Sequence, residues 1–356
     1  MRDSLGSCRF VPVRALASGL PIPRARRRRD RCAARLSLAA SCLLLSACDG
    51  PRSALDPAGV GAERIAALAW WLFGAAALVW ILVMGLALYT RSTRRPRHPE
   101  RTAQLLIVVG GTVFPTVVLA ALLAYALWLM PQLDPPVPAG TLVVEVVGEQ
   151  WWWRVRYPSG GDPVELANEV HLPVGTPSEL ELASADVIHS FWVPALAGKM
   201  DMIPGRKTRL VMQPTRIGQF QGACAEFCGA AHAQMGLLAV VEPRARFERW
   251  LAHQRLPAAP PATPLARRGQ EVFTANGCGA CHSIRGTEAA GSIGPDLTHV
   301  GSRRQLAAGV LRNEPDALRR WVSHPRALKP GVLMPAFGLL PQADLVALGA
   351  YLRGLQ

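Results

Sequence analysis

From residue 224 to residue 235 the chain reads Cys224-Ala-Glu226-Phe-Cys228-Gly-Ala-Ala-His232-Ala-Gln-Met235, and the rest of the sequence takes its meaning from this stretch. Two thiols, an imidazole and a thioether make a soft, nitrogen- and sulfur-rich ligand set, which suits copper far better than magnesium or calcium. Zinc is the obvious competitor, but a zinc site is ordinarily closed by four Cys/His ligands and has no use for methionine. A single blue-copper centre takes one cysteine, two histidines and a weak methionine. Two cysteines four positions apart can instead bridge two copper ions through their sulfurs, each copper then needing one more imidazole. The surroundings are β-rich. Leu142–Val147, Val164–Leu172, Ser178–Leu182 and Arg209–Met212 are short, β-branched and bounded by Gly or Pro, with turns recurring between them. The expectation is an all-β Greek-key sandwich or barrel over 132–243.

Upstream the character is different. Hydrophobic residues make up 50% of the 356 positions and are concentrated in the first third of the chain, the mark of membrane segments rather than one large soluble core. Two apolar runs, about 65–89 and 103–130, each exceed the ~20 residues a helix needs to cross the hydrocarbon layer. Arg91, Arg94, Arg95, Arg97 and Arg101 lie between them. The positive-inside rule places that loop in the cytoplasm and both ends of the hairpin, with everything after it, on the other side. Together with Arg24–Arg35, these arginines also account for much of the net charge of +14. No base-reading motif accompanies them, so nucleic acid is not an expected partner. Residues 1–48 read as a lipoprotein-type signal peptide: the arginine cluster, the apolar stretch Leu36–Leu45, then Leu45-Ser46-Ala47-Cys48, with Cys48 as the lipidated residue. Residues 49–62 read as a short polar linker.

Downstream, Arg244–Arg255 is helix-like and leads into Leu256-Pro-Ala-Ala-Pro-Pro-Ala-Thr-Pro264, a proline-dense spacer, so that 244–264 joins two domains. Residues 265–356 then have helical periodicity at 266–275 and 342–355. Cys278-Gly-Ala-Cys281-His282 is a haem-attachment signature, in which two thiols add to the vinyl groups and His282 is the proximal ligand. Met334 is the only methionine after the motif, and Pro330 and Pro335 place it in irregular backbone, as a distal ligand requires. His299 and His324 read as surface or capping residues.

The pattern Cys-x3-Cys-x3-His-x2-Met resembles the binuclear copper (CuA) domain of cytochrome c oxidase subunit II. The same family is suggested by Ala185-Asp-Val-Ile-His189-Ser-Phe-Trp-Val-Pro194, Asp201-Met-Ile-Pro-Gly-Arg206 and Gly148-Glu-Gln-Trp151-Trp-Trp153. With the two apolar runs the resemblance spans about 64–252. Residues 265–356, through Gly294-Pro295-Asp-Leu297, resemble a class I cytochrome c domain. The implied fold is multidomain: a two-helix transmembrane hairpin, an all-β cupredoxin-like Greek-key domain and a small all-α cytochrome c domain. The implied ligands are Cys224 and Cys228 bridging two copper ions, with His189 and Met235 completing one and His232 with the Glu226 carbonyl completing the other. The Glu226 side chain is implied to reach a magnesium ion at the boundary with another subunit, and Trp151 to be the electron-entry residue. Three adjacent tryptophans cannot all face one way in a strand, so Trp152 and Trp153 read as packing.

The resemblance implies an electron-input subunit of a bacterial inner-membrane oxidase and translocase. A cytochrome c or other donor would feed haem c, then the copper pair, then a catalytic subunit I that reduces oxygen to water, with a subunit III beside it. Many relatives carry a glutamate seven positions before the second-helix proline; here Val108 stands there, so the resemblance brings no proton-uptake role to this helix. Two other readings share the same residues: the input subunit of a CuA-type nitric oxide reductase, and a freestanding membrane-bound carrier. A copper chaperone needs neither the haem motif nor the added His and Met.

Overall fold

The computed structural model describes residue 50 and residues 52–92, 99–158 and 163–356. Cys48 and Arg24–Arg35, on which the signal-peptide reading rests, lie outside the described residues, as do Arg94, Arg95 and Arg97. The two apolar runs form helices α1, Val60–Ser92, and α2, Glu100–Leu133, both long and apolar enough to cross a membrane. Their large side chains face outward, Trp71 being 80% exposed and Ile107 70% exposed. In α2 a π-turn, Val109–Val113, precedes Pro115. Proline has no N–H and its ring crowds the carbonyl four residues back, and a π-turn is one way a helix absorbs that. Val108 is 53% exposed on the same helix.

Both helices run past the expected 65–89 and 103–130. The first turn of α1 is not lipid-facing: Ala58, Ala62 and Ala66 are buried, and Gly59 meets Leu196 so closely that a Cβ would come within 2.3 Å of its carbonyl oxygen. The segment expected to be a short polar linker is partly stitched to the β-domain, with Ala58 N–H donating to Ala195 O at 2.6 Å and Thr215 N–H to Ala58 O at 2.8 Å. Arg64 Nη1 also donates to the Gln132 carbonyl, so the start of α1 is tied to the end of α2.

Residues 142–242 make two five-stranded sheets. The first has the order β3 (Val164–Ala167), β2 (Trp152–Tyr157), β1 (Leu142–Glu149), β5 (Ser178–Ser184), β8 (Thr208–Met212). The second has β4 (Glu169–Pro173), β10 (Gly236–Glu242), β9 (Gly218–Cys224), β6 (His189–Trp192), β7 (Met200–Met202). Both sheets are mixed, since β1 pairs parallel with β5 and β4 with β10. The run 164–172, which reads as one strand, is two: Asn168, at φ 63, ends β3 and sends β4 to the other sheet. Period-two alternation puts Val144, Val146, Leu180 and Leu182 inside, around the fully buried Trp153 and Phe191, whose rings meet edge-on at 5.5 Å.

Helix α3 (Arg244–Gln254) follows. The haem-type domain is then built from α4 (Pro264–Ala275), α5 (Ala317–Ser323), the single turn α6 (Pro325–Leu328), α7 (Gln342–Gly354) and a small ribbon, β11 (Gln305–Leu306) with β12 (Leu311–Arg312). Thr263 caps α4, its hydroxyl accepting from Ala266 N–H at 3.1 Å, and Pro264 occupies the first turn, where its missing N–H costs nothing. Helices α4 and α7 cross at Gly269, where a Cβ would lie 2.0 Å from the Ala347 oxygen. Phe273 and Tyr351 stack edge-on beside the crossing at 5.7 Å. The proline-dense segment is not a free spacer along its whole length, because Ala258 N–H donates to Arg285 O at 2.9 Å. His299, expected as a surface or capping residue, is 4% exposed, so it is not at the surface, and its Nε2 lies 3.1 Å from Leu256 O at the start of the linker.

Candidate functional site

The first site forms where β6 meets β9. Antiparallel pairing sets Phe191 opposite Cys224, and His189, two residues along, therefore lies on the same face. His189 Nδ1 is 3.8 Å from Cys224 Sγ, and the ligand atoms of His189, Cys224 and Cys228 all lie within 4.8 Å of one another. Two features hold the imidazole. Asp186 Oδ1 is 2.8 Å from His189 Nε2, leaving Nδ1 free to face the sulfurs, the usual carboxylate-imidazole support of a metal ligand. Gly148 lies behind the ring, where a Cβ would come 2.8 Å from its Cδ2.

The loop after β9 closes on itself. Cys224 N–H donates to Met235 O at 3.0 Å and His232 N–H to Gly229 O at 3.1 Å, and Gly229 sits at φ 114, a conformation side chains disfavour. This folding brings His232 Nδ1 to 3.5 Å and Met235 Sδ to 3.7 Å from Cys228 Sγ. The Glu226 carbonyl is 3.2 Å from Cys224 Sγ. Every residue of the expected copper set is thus gathered around the two sulfurs. The side chains of Glu226 and Phe227 point outward, Phe227 being 76% exposed.

The two thiols differ. Burial pushes Cys224 up, but hydrogen bonding to His189 and to backbone at Ser190 and Glu226 outweighs it and brings the thiol down to about 7. Burial and the charge of Cys224 push Cys228 up to about 12. Two like groups sharing one site cannot both ionise without a compensating cation, which a metal supplies.

The second site lies at the end of α4. Gly277, at φ 69, turns the chain out of the helix, and His282 N–H donates to Cys278 O at 3.0 Å. Cys278 and Cys281 are not joined to each other in a disulfide. His282 Nδ1 is 2.8 Å from Pro295 O, which fixes the tautomer and leaves Nε2 to face an iron. Burial lowers the His282 pKa, favouring the neutral, ligating imidazole. Gly294 allows this packing, since a Cβ would fall 2.5 Å from the His282 ring. Met334 lies in the irregular segment between α6 and α7 and packs against the helical core.

Trp151 stands at the boundary of the two sites. It is 9% exposed, and its indole N–H donates to the Cys228 carbonyl at 2.9 Å. On its other side Gly331, three residues before Met334, approaches so closely that a Cβ would be 2.7 Å from two ring carbons. Trp153 and Trp152 do other things: Trp153 fills the core, and Trp152 lies under the Arg154 guanidinium at 4.7 Å. Sequence reasoning missed Asp186, Gly148 and Lys329. Lys329 is 2% exposed and burial draws its pKa down to about 7, the charge of Cys228 acting the other way. Gly148 and Lys329 acquire their roles from partners distant in sequence, whereas Asp186 acts on His189 only three residues away, a contact that the turn before β6 creates.

These features define a class: a membrane hairpin carrying a two-sheet, cupredoxin-like domain with a soft-ligand loop, joined to a cytochrome c domain. The family model "Cytochrome C oxidase subunit II, periplasmic domain" matches residues 159–242, and "Cytochrome c" matches 266–356. The chain is 33% identical over 327 residues to cytochrome c oxidase subunit 2 of Alkalihalophilus pseudofirmus, covering 88% of this chain and 94% of that protein. It is 32% identical to the Bacillus sp. PS3 subunit, over 71% of each. Among solved structures, the periplasmic domain of subunit II (CoxB) of Bradyrhizobium japonicum is 31% identical, covering 34% of this chain and 97% of that one, at a TM-score of 0.32. The chain belongs to the cytochrome c oxidase subunit 2 family. It is a subunit of a multisubunit oxidase; its family implies copper, and its cytochrome c domain implies haem c.

Proposed function

We propose that this chain is the electron-input subunit of a respiratory haem–copper oxidase in a bacterial inner membrane, taking electrons from a cytochrome c or other donor through haem c to a CuA centre and on to the oxygen-reducing subunit. The observation that carries this reading is Trp151, bonded to the Cys228 carbonyl on one side and covered on the other by the Gly331 backbone of the Met334 loop. When bound, two copper ions and one haem c supply reversible one-electron carriers.

The residues' own tasks follow from their places. Cys224, Cys228, His189, Met235, His232 and the Glu226 carbonyl would hold the copper. Asp186 and Gly148 keep the His189 ring from turning, which holds ligand geometry fixed between oxidation states and so keeps reorganisation small. Cys278 and Cys281 would attach the haem, and His282, oriented by the Pro295 carbonyl, would hold its iron together with Met334, a ligand pair that would raise the reduction potential. The outward Glu226 and Phe227 are suited to the catalytic subunit's surface, with the Glu226 carboxylate available to a magnesium ion there. Helices α1 and α2 anchor the chain beside subunits I and III, and Cys48 is a candidate for lipidation.

The test is gentle purification from native membranes through a C-terminal tag, followed by assay with reduced cytochrome c. Cyanide-sensitive oxygen uptake with a co-purifying haem–copper subunit is expected. Nitric oxide uptake with little oxygen uptake would move the chain to a nitric oxide reductase. Redox-active copper and haem with neither activity nor partner would make it a freestanding carrier.

A further inference from the structure

A haem domain behind a proline-rich tether invites the picture of a carrier that swings and searches for its acceptor. The contacts around Lys329 contradict it. Lys329 follows α6 in the haem domain, yet its Nζ donates to Trp151 O at 2.5 Å and Gln234 O at 3.0 Å in the copper domain, and to Ala307 O at 3.1 Å in its own. The three N–H bonds of an ammonium are matched by three carbonyls. Gln234 reciprocates, its Nε2 donating to Leu328 O at 3.1 Å. The haem domain's backbone is bent to present these groups: Ala307 and Ala308, at φ 54 and 61, are left-handed without being glycine, a conformation that persists only where surroundings over-determine it. Here they do. The Ala308 carbonyl accepts from Gly236 N–H at 3.0 Å, and Glu169 in β4 accepts from the backbone N–H groups of Arg304 and Gln305 at 2.6 and 3.2 Å. On the opposite flank Arg154 Nη2 reaches Ser292 O at 2.9 Å, in the loop that carries Pro295.

Resting on the electron-input reading, we propose that Lys329 is a positioning residue that locks the haem domain onto the copper domain in one register, pinning the Met334 loop on Trp151 so that transfer between the domains occurs across a standing contact. A lysine rather than an apolar residue is needed because three carbonyls, one buried and two partly buried, converge there on the side chain. Its side chain also bridges the Trp151 carbonyl and the ligand loop at Gln234, so losing it would loosen the register rather than the folding of either domain.

The test uses the intact complex from membranes, with the haem photoreduced by tris(bipyridine)ruthenium and the copper band followed in the near infrared. In the unmutated protein the haem-to-copper step is expected to be independent of glycerol viscosity. In Lys329→Met it is expected to slow by roughly tenfold and to become viscosity-dependent, as a gated docking step does, with haem and copper contents unchanged. A Lys329→Met protein with full metal content that transfers at the unmutated rate, insensitive to glycerol, would overturn the proposal. Absence of any haem-to-copper transfer in the unmutated protein would instead sink the electron-input reading. Should Lys329→Met assemble without haem or copper, a protease site placed in 259–262 of the otherwise unmutated chain decides. A cleaved haem domain that stays on the membrane complex supports the lock, and one that leaves on washing overturns it.

Discussion

The indole N–H of Trp151 donates to the carbonyl of Cys228 across 2.9 Å, joining the residue beneath the haem domain to the backbone of a cysteine in the proposed copper set. Trp151→Phe keeps a ring against Gly331 but removes one of that carbonyl's two donors, leaving Gln150 Nε2 at 2.7 Å. The expected result is retained copper and haem spectra, haem-to-copper transfer slowed by about tenfold or more, and a stability cost of about 0.5–1.5 kcal/mol. Stopped-flow reduction and thermal unfolding measure the two. Transfer at the unmutated rate would remove Trp151 from the route.

Asp186 lies 2.8 Å from His189 Nε2 and orients the ring from outside the metal set. Asp186→Asn keeps the shape but weakens that support. Copper affinity is expected to fall by about 10–100-fold, the range seen when such outer partners are removed, as read by copper titration under the near-infrared band. Gly148→Ala should act more harshly, because its methyl would meet the ring at 2.8 Å.

Gly269→Ala places a methyl 2.0 Å from the Ala347 oxygen, a backbone atom that cannot swing aside. Helices α4 and α7 must separate, and overpacking of this kind costs about 1–3 kcal/mol or more. The haem domain should unfold at lower temperature while copper binding is kept, which differential calorimetry with copper-band monitoring resolves.

The Glu242 carboxylate is held below its ordinary pKa by His171, whose Nδ1 lies 3.7 Å away, against burial and with help from the charges of His171 and Arg246. A carboxylate whose folded pKa is depressed binds fewer protons folded than unfolded. Its contribution is therefore present above the unfolded value near 4.5 and is lost as pH falls through the lower folded value. Thermal melts of Glu242→Gln between pH 7 and pH 3 should show a shallower acid limb than the unmutated protein. An identical limb would assign acid lability elsewhere.

What was legible in the sequence was whatever is encoded at short range. Two uncharged runs long enough for a bilayer, a Cys-x3-Cys-x3-His-x2-Met loop and a Cys-x-x-Cys-His motif each carry their physics within a few dozen residues. The reading of the two runs as helices agrees with the structure, and the ligand-type side chains of the loop lie close together there. The strands that alternate cleanly, such as 142–149 and 178–184, were equally readable. The run 164–172 was not, because its apolar pattern continues through the Asn168 corner where the chain changes sheets.

By itself, then, the sequence determined the order of domains and the identity of the chemical groups, because spacing along a chain dictates which side chains a short loop can bring to one point. Only the tertiary structure decided how those groups meet. His189 reaches Cys224 through the pairing of β6 with β9, Asp186 becomes its support through that placement, and Trp151 comes to lie between the two sites. Lys329 looks like any surface lysine beside a proline until the second domain closes over it. Apart from the short-range Asp186 contact, such relationships depend on which surfaces pack together across 35 to 178 residues of chain, a separation over which no local spacing rule operates, as the contacts of His189 with Cys224 and of Trp151 with Cys228 and Lys329 illustrate.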